Sequence, residues 1–222
     1  MKLMNPAGGL IYHWRALMHG KAWEDYRKNV LAFLKEWNPP REELILIGPS
    51  AGYSLDTDWL NSFEYLLGVE IDPLARWNFG RRHEVDVDWI AGAIAPDLNG
   101  IERILAQYPE SPVLFCNILG QVPSLFPQME DVPDFHNRLL DLLDGRIWAS
   151  YHDRLSGQFT RPPRSRHFTS SLPIEDVVQA WKLSGTILDH QTGTLGEGRE
   201  CWVWPWEIRP GYTHLIEGVF SR

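Results

Sequence analysis

The chain has 222 residues, a formal net charge of −8 and a hydrophobic share of 44%. That length supports one sizeable domain, which buries roughly 70% of its unfolded surface and needs no disulfide or metal staple. The acidic balance argues against general nucleic-acid binding, which calls for a basic face. Two cysteines are too few for a disulfide framework or a four-thiolate zinc site.

Cys116 follows Val113-Leu114-Phe115 and Cys201 precedes Trp202, so both are expected to be buried, reduced thiols in a cytoplasmic protein. No apolar run approaches the roughly 20 residues that cross a bilayer. Tyr12, His13, Trp14 and Arg15 interrupt the apolar stretch that a signal peptide would need. The eight histidines show no H-E-x-x-H spacing, so no metal site is read from the sequence.

Asn5 to Gly9 reads as loop, and Tyr12 to Met18 as a short helix. Trp23, Tyr26, Val30, Phe33, Leu34 and Trp37 recur at steps of three and four, which predicts an amphipathic helix ended by Asn38-Pro39-Pro40. Leu44-Ile45-Leu46-Ile47 is apolar on both faces, as in a central parallel strand. A glycine-bearing turn, Gly48 to Tyr53, and a short helix within Asp56 to Phe63 follow. Tyr65 to Val69 predicts a second strand, with Glu70 and Asp72 at its carboxyl end, and Pro73 opens a helix toward Arg82.

Further strands are expected at Glu84–Asp88, Val113–Ile118 and Arg146–Tyr151, and helices at Gly100–Tyr108 and Asp134–Leu143. Beyond a loop at Arg161 to His167, a helix is expected at Pro173–Leu183. Strands follow at Thr186–His190, Glu200–Ile208 and Tyr212–Phe220, with no helices between them. Alternation of strand and helix followed by a run of strands predicts an open, mostly parallel α/β sheet closed by an antiparallel hairpin. Residues 1–40 form an N-terminal helical extension and residues 41–222 the α/β domain.

Chemistry concentrates between Gly48 and Asp72. A strand, a glycine turn and a helix place backbone N–H groups at the carboxyl edge of the sheet, where such sheets bind ligands. Glu70 follows Gly48 by 22 positions, at the end of the next strand, where a carboxylate accepts hydrogen bonds from ribose hydroxyls.

The run Leu44-Ile45-Leu46-Ile47-Gly48-Pro49-Ser50-Ala51-Gly52-Tyr53, with Leu66-Leu67-Gly68-Val69-Glu70-Ile71-Asp72-Pro73, resembles the first two motifs of class I S-adenosylmethionine-dependent methyltransferases. The resemblance implies a three-layer Rossmann-like sheet of seven strands and S-adenosylmethionine as cofactor. Methyl transfer to a small-molecule acceptor would be the activity. It assigns Gly48, Ser50 and Gly52 to the cofactor turn and Glu70 to the ribose. It puts Asp88 and Trp89 near the adenine, with Asp86 an alternative to Asp88. Asn117 and Gln121, after the fourth strand, would face the reacting groups. That segment lacks the Asn-Pro-Pro-Tyr run which marks nucleobase and glutamine methylation in the family. Ser50 stands at the middle glycine position, and Leu46 where the family often carries an acid. Both departures support an alternative in which the fold binds without catalysing.

Other readings compete. Gly48-Pro49-Ser50-Ala51-Gly52 satisfies the G-x-S-x-G elbow of serine hydrolases, with His190 or His214 as partner to Ser50. The missing sixth-position glycine, replaced by Tyr53, argues against a dinucleotide site. His152, at the expected end of the fifth strand, is the candidate catalytic base, with Asp153 beside it. Arg161, Arg164, Arg166 and His167 are a candidate anion clamp. Trp202, Trp204 and Trp206 share one strand face, as packing or as a wall for substrate or partner, and Pro205 marks that strand as an edge. Met1 to Gly20 is a candidate lid hinged at Gly8-Gly9 and Gly20, in which Tyr12 and Trp14 exclude water; packing on an outer face is the alternative.

Overall fold

The computed structural model describes residues 10–92, 94, 97–125, 131–159 and 164–222. Two helices lead: α1 (Leu10–His19) and α2 (Glu24–Trp37). Strand and helix then alternate through β1 (Glu43–Ile47), α3 (Thr57–Leu60), β2 (Tyr65–Val69), α4 (Pro73–His83), β3 (Asp88–Ile90), α5 (Asn99–Gln107), β4 (Val113–Cys116), α6 (Asp131–Leu142) and β5 (Trp148–Gly157). The rest of the chain supplies β6 (Arg166–Phe168), α7 (Ile174–Trp181), β7 (Ile187–Asp189), β8 (Cys201–Arg209) and β9 (Tyr212–Ser221).

The strands form one sheet in the order β3-β2-β1-β4-β5-β9-β8-β6, with β7 alongside β5. Strands β1 to β5 are parallel. Strand β9 runs antiparallel to both β5 and β8. This is the open, mostly parallel α/β sheet closed by an antiparallel hairpin that the sequence predicts. Among the described residues it carries nine strands rather than seven, the additions being the short β6 and β7.

Alternation along each strand makes the three layers. Leu44, Leu46, Leu66, Leu114 and Tyr151 face α2, α3 and α4. Ile45, Ile47, Leu67, Val113 and Phe115 face α5 and α6. Helix α7 covers Leu155, Val203 and Leu215 further along the second face. The apolar stripe of α2 (Tyr26, Val30, Phe33, Leu34, Trp37) is buried as its periodicity predicts. Trp206 stacks on Tyr26 at 4.5 Å and meets Trp23 edge-on at 5.0 Å, while Trp202 and Trp204 pack against Phe33. The three tryptophans are packing for α2. Among the described residues strand β6 pairs with Cys201, Trp202 and Val203 only, so β8 has a free edge there from Trp204 onward, where Pro205 needs no ladder partner.

Two strand boundaries differ from the sequence reading, with consequences for the site. Helix α4 ends at Glu84 in a left-handed cap (φ 52°), which delays β3 to Asp88–Ile90. Strand β5 continues through His152, Asp153 and Arg154, ten residues in all and far longer than β4. Its first part pairs with β4 and its last with β7. Opposite the stretch between them lies the 3₁₀ segment Leu119–Leu125 that follows β4.

Candidate functional site

At the carboxyl edge, β1 ends in a turn that crosses the left-handed region at Gly48 (φ 65°), Ser50 (φ 51°) and Gly52 (φ 66°). A Cβ on Gly48 would lie 3.0 Å from Ile118 Cβ, so conformation and space both demand glycine there. A side chain on Gly52 would strike His83, which ties this turn down. His83 Nε2–H donates to the Gly52 carbonyl (3.0 Å), and its Nδ1 is bonded to Thr57 Oγ1 at 2.8 Å. Burial holds His83 below its ordinary pKa, with Arg82 acting in the same direction and the bond to the Gly52 carbonyl opposing both. No motif flagged His83; its place in the last turn of α4 looks like an ordinary basic cap.

Glu70 closes the turn from the next strand. Ser50 N–H donates to its Oε2 (3.0 Å) and Asp72 N–H to its Oε1 (2.9 Å). Burial raises the Glu70 pKa, opposed by the backbone N–H groups of Asp72, Ser50 and Ile71. Beside it opens a cleft of about 200 Å³ lined by Gly48, Glu70, Ile71, Gly92, Ile118 and Gln121, among others. Gly48, Ser50, Gly52 and Glu70 are thus brought together as the motif spacing anticipates.

Asn117 stands beyond the end of β4 at φ 51°. Its N–H donates to the Tyr151 carbonyl (2.8 Å) and its carbonyl accepts from Gln121 Nε2 (3.3 Å). Its side-chain Oδ1 is buried with no hydrogen-bond partner among the described residues.

Several expected site residues lie elsewhere. Asp88 begins β3, opposite Leu67, and accepts a hydrogen bond from Tyr65 Oη (2.9 Å). Trp89 lies over Gly68 and packs edge-on against Phe79. Both belong to the strand, and Asp86 precedes it. The edge they were to form is made by Gly92 and Ile94 instead. The cause is the delayed start of β3.

His152 sits inside β5, fully buried. Its Nδ1 is bonded to Ser150 Oγ at 2.8 Å and its Nε2 lies 3.6 Å from Glu217 Oε1. That enclosure is unsuited to the proton acceptor the sequence suggested. Arg166 and His167 lie on β6, the outer strand, where Arg166 covers the Trp181 ring and His167 faces Glu200. With β4, β5, β9 and β8 between them and β1, they do not clamp an anion in the cleft. Arg161 lies outside the described residues, and Arg164 gives its carbonyl to Trp181 Nε1.

A second polar group, unanticipated as a unit, gathers where β5 outruns β4. Asp153 Oδ1 and His214 Nδ1 are 2.8 Å apart. His190 donates through Nδ1 to the Gly120 carbonyl (2.8 Å), and its Nε2 lies 2.9 Å from Ser156 Oγ. Ser156 Oγ is in turn 3.2 Å from Tyr212 Oη. The Asp153 carboxyl is held below its ordinary value: burial pushes it up, but His214 foremost, with His190 and His152, outweighs burial. His190 and His214 are therefore engaged with Asp153, Ser156 and Gly120, so the hydrolase assignment to Ser50 finds no partner in either.

Helix α1 lies across this edge. His13 Nδ1 is bonded to Tyr53 Oη at 2.8 Å, and its Nε2 is 3.6 Å from Asp72 Oδ2. Tyr12 packs on Trp23, Tyr53 and Trp206. Trp14, by contrast, is 58% exposed and does not close the site. The proposed Gly8-Gly9 hinge lies outside the described residues.

Comparison with family models and with curated protein sequences finds no match. Similar solved structures include the N-methyltransferase NodS from Bradyrhizobium japonicum WM9, at 11% identity and TM-score 0.43, over 89% of this chain and 94% of that one. Magnesium protoporphyrin IX methyltransferase (ChlM) from Synechocystis PCC 6803, with bound SAM, is similar at 14% identity and TM-score 0.45, over 92% and 81%. A third is the 1,6-didemethyltoxoflavin-N1-methyltransferase of Burkholderia thailandensis, at 12% identity and TM-score 0.41, over 88% and 77%.

Proposed function

We propose that this chain binds S-adenosylmethionine in the cleft at the ends of β1, β2 and β4 and directs its methyl group to a small-molecule acceptor. The observation that carries the reading is the Glu70 carboxylate, fixed by Ser50 N–H and Asp72 N–H beside the Gly48–Gly52 turn and lining an open cleft. Ser50 N–H and Asp72 N–H take different carboxylate oxygens, which leaves acceptor capacity for ribose hydroxyls. The buried, unpartnered Asn117 Oδ1 is a further acceptor, suited to a donor group on either cofactor or substrate.

The bound sulfonium would supply an activated methyl group for in-line displacement. The protein's part is alignment and exclusion of water. The Gly48 turn and Glu70 position the donor. Gln121 and Asn117 border the space the acceptor would enter. Tyr12 and His13, on α1, cover the same edge.

Binding without catalysis was suggested by Ser50. Ser50 nevertheless adopts the left-handed conformation a glycine would, and its N–H reaches Glu70, which supports an intact turn. Calorimetry with S-adenosylmethionine and S-adenosylhomocysteine tests the reading. One saturable site for both ligands, weakened in Glu70→Gln, is the expected result; binding of neither overturns it.

A further inference from the structure

The Asp153–His190–His214 group has no part in cofactor binding as proposed above, and its geometry points to a second site. We propose that Asp153, His190 and His214 form a binding site for one divalent transition-metal ion of the zinc type.

The ligand atoms of the three side chains lie within 4.8 Å of one another. Metal–ligand distances of about 2.0–2.2 Å require somewhat closer approach, within reach of side-chain torsions. Two imidazoles and one carboxylate make a borderline donor set, which suits zinc, iron or cobalt better than magnesium or calcium. Three protein ligands leave a coordination position open, the pattern of catalytic rather than structural sites.

Two of the ligands are also held as metal ligands should be. The Gly120 carbonyl accepts from His190 Nδ1–H, which fixes the ring and leaves the Nε2 lone pair free to face Ser156 Oγ. Ser156, bonded to that Nε2, also has Tyr212 Oη at 3.2 Å to turn to when an ion takes its place. Asp153 is aimed by a break in strand register between Asp153 and Leu155, the kind of irregularity that redirects side chains beside functional sites. The residue after His190, Gln191, is held at φ 57°. The ligands come from β5, the turn after β7 and β9, so the folded sheet preforms the site.

The group adjoins the cofactor cleft through one segment. Gly120 packs against Asp153, and its neighbours Ile118 and Gln121 line the cleft. If the methyl-transfer reading holds, the open position would take an oxygen or nitrogen acceptor, whose proton the ion would render more acidic. The metal site itself does not depend on that reading.

The test uses the full chain, dialysed against a chelator and titrated with Co²⁺, followed by visible d–d absorption and by displacement with Zn²⁺. Expected is one site per chain with a Kd below about 10 μM, lost or weakened by at least about 100-fold in Asp153→Asn and in His214→Gln. Retained circular dichroism and retained S-adenosylhomocysteine binding in each variant separate loss of the metal from loss of the fold or the cofactor. Absence of a one-to-one cobalt spectrum in the unmodified chain overturns the proposal even if both variants misfold. So does a spectrum that well-folded variants leave unchanged.

Discussion

Ser50 N–H points at the carboxylate of Glu70 and closes to 3.0 Å, so the turn after β1 and the end of β2 share one anchor. A residue in a conformation unusual for any side chain but glycine thus presents its backbone to an acid twenty positions away.

Glu70→Gln should weaken S-adenosylhomocysteine binding by about 1.5–3 kcal/mol, the worth of hydrogen bonds to a charged group. An amide keeps one accepting oxygen and cannot serve Ser50, Asp72 and a ribose together. Calorimetry on the variant, with circular dichroism to confirm its fold, gives the answer. Equal affinity would remove Glu70 from the site.

The raised pKa of Glu70 gives binding a pH signature. Below its folded pKa the acid is protonated and a poorer acceptor, so affinity falls as pH drops, and the raised pKa shifts that fall toward higher pH than an unperturbed glutamate would give. Stability runs the other way. The folded state holds this proton more tightly than the unfolded state, so the contribution of Glu70 is complete below the unfolded value and fades as pH rises through the folded one. Urea melts of the native chain and Glu70→Gln across that range should diverge in this sense.

Ser50→Gly should stabilise the protein modestly. A left-handed non-glycine residue costs about 1–2 kcal/mol, and the added freedom of glycine in the unfolded chain returns about 0.4–1 kcal/mol of that. The net, roughly 0.5–1 kcal/mol, is readable as a higher urea midpoint. Cofactor affinity should hold, because the N–H that reaches Glu70 is retained. A fluorophosphonate adduct on Ser50 would instead revive the hydrolase assignment.

Trp206→Ala should cost about 3–5 kcal/mol, as deletion of a large buried ring does. The ring is 2% exposed and packs on both Trp23 and Tyr26. Chemical denaturation measures this directly; a loss under about 1 kcal/mol would mean that α2 is held by other contacts.

Ligand at Glu70 steadies Asp72, whose N–H it shares, and Asp72 faces His13 on α1. Saturating S-adenosylhomocysteine should therefore slow tryptic cleavage at Arg15 and Lys21, and His13→Ala should abolish that protection. Equal cleavage rates with and without ligand would make α1 a fixed outer layer and leave the acceptor space to the segments around Asn117 and Asp153.

What the sequence disclosed followed from local pattern. The steps of three and four in Trp23 to Trp37 locate α2, and apolar runs before Gly48 and Glu70 locate β1, β2 and the turn they carry. Long-range partners were not visible. His152, Asp153 and Arg154 look like an exposed strand end until Glu217, His214 and Asp189 arrive to pair with them. Asp153, His190 and His214 stand 37 and 24 positions apart, too irregular a spacing for any motif. A run of polar residues continuing an apolar strand, Tyr151 to Ser156, was the available hint. Strand β3 was misplaced because a left-handed cap at Glu84 is invisible to periodicity.

The bond from Trp23 Nε1 to the Ile208 carbonyl spans 185 positions, and Arg222 reaches back to Glu36. During synthesis, α2 leaves the ribosome long before β8 and β9, the strands that sheathe it. The part of its apolar face that they cover waits, exposed, until both have been made. Chains arrested before β8 would therefore present Trp23, Tyr26 and Phe33 to chaperones or to one another.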